Sequence, residues 1–185
     1  MTLSQILVLV ADMLDDGELK SALISQDTPS ASDAQKISLL ISCANQVSSI
    51  IATEYLHIYK TKSVSTTTGI INFSDIDLNG VIDIVYIRSC GVDMSFEVVD
   101  GEVHIAPGNY KIKYISQPQT LSIESVVSDF PKLSPRIFAY GVAAEYLFIK
   151  GNIDDAESWN KRFEDGILGV LRLKPSRIMP VRRWY

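Results

Sequence analysis

The sequence predicts an α+β protein: a small α-helical bundle with an inserted antiparallel β-meander and an extended C-terminal arm. Apolar residues recur at helical spacing near both ends of the chain. Between Tyr59 and about Ser116 the period drops to two. Arg172–Tyr185 fits neither pattern. It carries five basic residues and no acidic one, and Pro175 and Pro180 forbid a continuous helix.

Residues 3–15 place Leu3, Ile6, Leu7, Val10, Met13 and Leu14 on one helical face, and Asp15-Asp16-Gly17 ends that element. Gln26 to Ser32, with Pro29 among Ser, Thr and Asp, reads as a loop. Ser32 then serves as an N-cap, with Gln35 completing a capping box. Ile37, Leu40, Ile41, Ala44, Val47, Ile50 and Ile51 form the apolar stripe of a long helix reaching about Leu56.

Ile70–Phe73, Val81–Arg88, Met94–Val99, Glu102–Ile105 and Tyr110–Ile115 are the strand candidates. Asp100-Gly101 signals a two-residue hairpin, and Pro107-Gly108-Asn109 supplies the next turn. Turns this short imply antiparallel strands, because parallel pairs need long crossovers. A turn or short helix is expected around Ile123–Phe130. Ser134-Pro135 opens a helix that is apolar almost all round and ends at Gly151. Asp154 with Glu157 caps the next helix, which turns Ala156, Trp159, Phe163 and Ile167 inward and Lys161, Arg162, Glu164 and Asp165 to water. The expected units are a discontinuous helical body (1–58 and 117–171), a β-insertion (59–116) and a docking arm (172–185).

The composition, 185 residues with 46% hydrophobic and 21% charged, supports a real core and argues against global disorder. The longest apolar run, Ile6–Ala11, is too short to span a membrane. No Lys or Arg precedes it, so no secretory signal is expected. Cys43 and Cys90 fit neither a disulfide framework nor a zinc site and read as packing residues. A net charge of −5 argues against nucleic-acid binding by the whole surface.

No catalytic constellation is legible. His57 and His104 stand alone, without a local Ser-His-Asp or Cys-His arrangement. Glu54-x-x-His57 has the spacing of a di-metal bundle motif but occurs once, where such sites need two. Asp75-Ile-Asp77-Leu-Asn79-Gly80 matches the first half of a calcium loop. The position that needs a bidentate carboxylate is Tyr86, so the segment reads as an acidic turn with Asn79-Gly80 at its bend. Asn72-Phe-Ser74 is a glycosylation sequon by pattern only. No metal, cofactor or enzymatic activity is expected.

Residues 1–171 hold 12 of the 17 Lys/Arg and all 22 Asp/Glu. A basic arm containing Leu173, Ile178, Met179, Val181, Trp184 and Tyr185 on so acidic a body reads as a docking element. Arg177, Arg182 and Arg183 would pair with acidic groups or phosphates, and Trp184 would anchor in an apolar pocket.

This layout resembles the bacteriophage head–tail adaptor (neck or connector) proteins. The resemblance rests on the N-terminal amphipathic helix, the β-insertion with Thr68-Gly-Ile-Ile-Asn-Phe73 and Val81-Ile-Asp-Ile84, and the buried helix after Ser134. It continues through Gly151-Asn-Ile-Asp-Asp-Ala156-Glu-Ser-Trp159-Asn-Lys-Arg-Phe163 to the arm ending in Arg182-Arg183-Trp184-Tyr185. It implies a non-catalytic virion protein of the neck, made in the bacterial cytoplasm. Such a protein self-associates into a ring, binds the portal protein and tail or tail-completion proteins, and passes DNA without sequence-specific contact. An acidic lumen would let DNA slide. The alternative is a non-catalytic ligand-binding module using the β-meander as a carbohydrate- or peptide-binding sheet, for which aromatics are sparse, Tyr86, Tyr110 and Tyr114 being the only tyrosines along the meander strands; a hydrolase is disfavoured by the missing constellation.

Overall fold

The computed structural model describes residues 1–25 and 30–172 and has an α+β architecture. Helix α1 (Leu3–Met13) begins with a capping box between Thr2 and Gln5. Its first free N–H groups have further partners: Leu3 and Ser4 donate to the carbonyls of Ser125 and Ile123, 2.8 and 3.0 Å away. That duty explains why Ile123–Phe130 is not a helix. The segment runs as turns and an isolated bridge, Thr2 to Val126, that seal the start of α1.

Helix α1 ends before Asp15-Asp16-Gly17 as expected, but the same residues also open an unexpected helix, α2 (Gly17–Ile24), whose N-cap is Asp16. The Asp16 carboxylate accepts from Leu19 N–H at 2.9 Å and from Lys36 Nζ at 2.7 Å, tying α2 to α3. Helix α3 (Ala31–Ile50) is capped by Ser30, not Ser32. Ser30 Oγ accepts from Asp33 N–H and donates to its carboxylate, an exchange that a Gln35 box at Ser32 does not match. The helix ends in a π turn, Ile51–Tyr55.

The chain then enters seven strands: β1 (Ile58–Thr66), β2 (Ile70–Asn72), β3 (Val81–Ser89), β4 (Val92–Asp93), β5 (Glu97–Val99), β6 (Glu102–His104) and β7 (Gly108–Ser116). A single-turn helix, α4 (Phe73–Ile76), separates β2 from β3. Every pairing is antiparallel, but the order is not that of a simple meander. The four-stranded sheet runs β1-β7-β3-β4 and the three-stranded sheet β2-β6-β5, so β7 returns between β1 and β3. Strand β1, which the sequence pattern hides behind Lys and Thr, pairs with β7 along its whole length. Met94–Val99 is not one strand; it is divided between the end of the β3–β4 hairpin and β5.

Two tight hairpins have positive φ at both central residues, the mark of a type I′ turn. Asp100-Gly101 has φ of 50° and 80°, and Cys90-Gly91 has 49° and 84°. The second was invisible because cysteine is not a turn-forming residue. Cys90 is therefore an exposed turn residue rather than a packing one, whereas Cys43 is buried.

Helix α5 (Pro135–Lys150) starts at Ser134-Pro135 as its sequence signal requires and stops at Gly151, φ +79°. Helix α6 (Ile153–Arg172) packs back along it. Asp154 lies inside the first turn of α6 rather than at its cap; Asn152 precedes the helix and donates to the Asp155 carboxylate at 2.6 Å. Ala156, Phe163 and Ile167 are buried, and Trp159 lies partly buried against Tyr140, ring centroids 5.4 Å apart. Gly141 makes the three-helix contact possible. A Cβ there would meet both Phe163 and Val47 at 2.9 Å.

Buried apolar residues form two clusters. One unites α1, α3, α5 and α6 around Phe138, Leu3, Leu7 and Leu40. The other takes Ile71 and Val103 from the three-stranded sheet with Ile84, Ile87, Tyr110, Ile112 and Tyr114 from the four-stranded one. The two sheets therefore turn their apolar faces toward one another and their other faces outward. The chain returning from β7 is clamped to the body by Asn45 of α3. Its amide accepts from Leu121 N–H at 2.7 Å and donates to the Leu121 carbonyl at 3.0 Å.

Candidate functional site

Arg177, Arg182, Arg183 and Trp184 lie outside the described residues, which end at Arg172, the last residue of α6. The structure bears on the arm only through this scaffold. The α5–α6 hairpin, packed through Gly141 and the Tyr140–Trp159 pair, ends at Arg172, directly before the basic stretch in sequence.

The outward faces of the two sheets follow from the strand register, because residues directly opposite share a face. On the four-stranded sheet, Ser63, Lys111, Arg88 and Asp93 form one row; Thr61, Lys113 and Tyr86 form the next; Tyr59, Ile115 and Asp83 form the row nearest the helical body. Lys113 Nζ lies 4.8 Å from the Tyr59 ring centre and 5.7 Å from that of Tyr86, and the Arg88 guanidinium lies 4.2 Å over Tyr86. Arg88 is paired with Asp93, which holds that carboxyl below its usual range through a hydrogen bond. An open groove of about 710 Å³ runs across this face beside the Cys90-Gly91 turn, with Ser63, Ser65, Tyr86, Asn109 and Lys111 on its walls.

The three-stranded sheet presents a different chemistry. Its outward rows are Ile70, His104 and Glu97, then Asn72, Glu102 and Val99, with Asp100 at the hairpin tip. His104 Nε2 stands 3.8 Å from the Glu102 carboxylate.

Asp77, the carboxylate at the centre of the acidic turn, follows α4 and lies against strands β1 and β7. Its side chain is only 10% exposed. It accepts from Lys60 Nζ at 3.0 Å, Tyr114 OH at 3.2 Å, Ser116 Oγ at 2.8 Å and Asn79 N–H at 3.0 Å. Burial pushes its pKa up, but the Asn79, Ser116 and Lys60 hydrogen bonds and the Lys60 charge outweigh it and bring the group down to about 2. Burial and the neighbouring Asp77 raise Tyr114 to about 12. A turn that imitates a calcium loop thus has its second carboxylate already neutralised by an internal lysine, with three further donors occupying its lone pairs. Among the described residues no group of three or more His, Cys, Asp or Glu is placed to hold a metal ion.

The remaining candidates are dispersed. His57 follows the π turn and donates through Nδ1 to the Ala52 carbonyl at 2.9 Å, while His104 is on an outward sheet face. Glu54 is exposed in the π turn, and Asn72 is exposed at the end of β2. Of the tyrosines considered for ligand stacking, Tyr110 and Tyr114 are 5% and 4% exposed and face the core, leaving Tyr86 outward together with Tyr59 of β1. Sequence reading missed Lys111 and Lys113, although their alternation with Tyr110, Ile112 and Tyr114 in β7 was a usable signal. No model of a known protein family matches the chain, and no curated protein matches it significantly. No helix of the described residues is long and apolar enough to cross a membrane.

Proposed function

We propose that the chain is a non-catalytic structural protein of a bacteriophage head–tail connector, a neck component that assembles into a ring, docks on the portal and lets DNA pass. The observation that carries this reading is the α5–α6 hairpin. It is a tightly packed pair of helices, the second leading directly into the basic, apolar stretch that begins at Arg172. A rigid platform bearing an adhesive strap is a docking device. Acidic residues in the first turn of α6, Asp154 and Asp155, add to a body whose charge opposes adhesion to DNA phosphates. Portal and tail proteins are the proposed partners and the virion neck the proposed location. The ligand-binding alternative is weakened by the inward turn of Tyr110 and Tyr114.

The test is binding to isolated portal protein by the full chain and by a chain lacking residues 172–185. The shortened chain should keep the circular dichroism and melting behaviour of the full one and lose portal binding. Arg182→Ala with Arg183→Ala and Trp184→Ala should reproduce the loss. Undiminished binding by the shortened chain overturns the docking role of the arm.

A further inference from the structure

The geometry points to a head-to-tail contact between copies of this chain, in which the basic outward face of one four-stranded sheet lies on the acidic outward face of the neighbour's three-stranded sheet. The inference deepens the connector reading by naming the surfaces through which neighbouring copies meet, and rests on that reading for closure into a ring.

The two sheets share one apolar cluster, so their outward faces point away from each other. Those faces differ in sign. One carries Lys111, Lys113 and Arg88; the other carries Glu97 and Glu102 beside the Asp100 turn. Asp93 neutralises Arg88, and Asp83 sits in the row nearest the body, accepting from the Ile84 N–H, which leaves Lys111 and Lys113 as the excess charge of this face. Neither Lys111 nor Lys113 enters an ion pair among the described residues. His104 is the only potential cation in the outward rows of the acidic face, and it stands against Glu102.

Each face also leaves apolar surface open to water. Tyr59 is 55% exposed on the basic side, and Ile70 and Val99 are 42% and 43% exposed on the acidic side. Charged groups around exposed apolar residues are the composition of a polar-rimmed contact. Two different patches on opposite sides of one rigid unit cannot pair about a two-fold axis. They generate a heterologous series that closes as a ring or runs on as a filament. A nucleic-acid strand fits the basic face less well. Three cations, one already paired, release few counterions, and the chain as a whole carries −5.

Two charge-reversed full chains test the contact. Lys111→Glu with Lys113→Glu makes both outward faces acidic; Glu97→Lys with Glu102→Lys makes both basic. Sedimentation equilibrium at low ionic strength should show the unaltered chain gaining mass with concentration, less so as salt is added. Each variant alone should associate at least about tenfold more weakly. An equimolar mixture should regain the association of the unaltered chain, because its copies alternate with opposite faces in contact. Lys111→Gln with Lys113→Gln, milder for folding, should show a smaller loss.

The proposal is overturned if the unaltered chain stays monomeric throughout, if the variants associate as it does, or if the mixture is no better than its components. It is also overturned if a labelled single-stranded oligonucleotide binds the unaltered chain and not the lysine variant while self-association is unchanged. That result gives the face to nucleic acid. Failure here with portal binding still dependent on residues 172–185 leaves the connector reading standing. Rescue by the mixture without any portal binding removes the connector reading alone.

Discussion

In the helical body a central constraint is an absence of side chain: Gly141 lets Phe163 and Val47 close over it. In the β-insertion a central constraint is a charge, the Asp77 carboxylate gripped by Lys60, Ser116 and Tyr114. The helices bury long apolar stripes, and shape alone decides how near they come. The loop between β2 and β3 buries Ile76 in the sheet cluster, and a satisfied carboxylate network locks it as well. The body therefore depends on volume, and the insertion on both its apolar cluster and the protonation of one carboxylate.

The largest expected effect strikes volume. Phe138, 1% exposed at the centre of the helical cluster, should cost roughly 3–5 kcal/mol when replaced by alanine. Urea unfolding measures the loss, and amide exchange tells whether it stays in the body. Equal loss of protection in β3 and β7 would show that the two regions unfold as one and would break the contrast.

The intermediate effect strikes protonation. The Asp77 pKa lies at about 2 in the folded chain, below an ordinary carboxylate near 4. Its contribution is present above pH ~4 and is lost as pH falls through ~2, a matter of about 2 kcal/mol. Asp77→Asn should lower stability by about that amount at neutral pH and remove this part of the acid limb from a melting series. The body has its own lowered carboxyl, Asp16, held by the Lys36 hydrogen bond, but both partners are about a quarter exposed. Asp16→Asn should therefore cost less than ~1 kcal/mol. An acid limb governed by Asp16 instead would reverse the assignment.

The smallest effect needs no mutation. Burial, with Glu145 nearby, pushes the Cys43 thiol up to about 11, whereas Cys90 stands exposed in its turn. A thiol reagent should label one cysteine quickly and the other only on unfolding. Rapid labelling of both would show the body opening readily enough to expose Cys43 without global unfolding.

Much of the helical framework was legible because its signals are local. Ser134-Pro135 and Gly151 bound α5 through constraints on single residues, and Asp100-Gly101 forms its turn for the same reason. Local signals also misled. Asp15-Asp16-Gly17 stops α1 but also starts α2, because Asp16 can cap whatever follows it. Strand β1 was hidden because Lys60 reaches inward to a carboxylate and Lys62 to the Asp75 carbonyl, contacts that lie more than ten residues away in the chain.

By itself the sequence determined the α+β class, the helical stripes, the antiparallel turns and the basic, apolar character of residues 172–185. The tertiary structure alone decided that β7 runs between β1 and β3, that Tyr110 and Tyr114 point inward while Tyr86 does not, and that the two outward faces differ in sign. The physical reason is the period of two. Alternation says that a strand has two faces, but a one-residue bulge such as that between Ile84 and Tyr86 exchanges them. Only pairing with distant strands and burial against a second sheet select which face meets water.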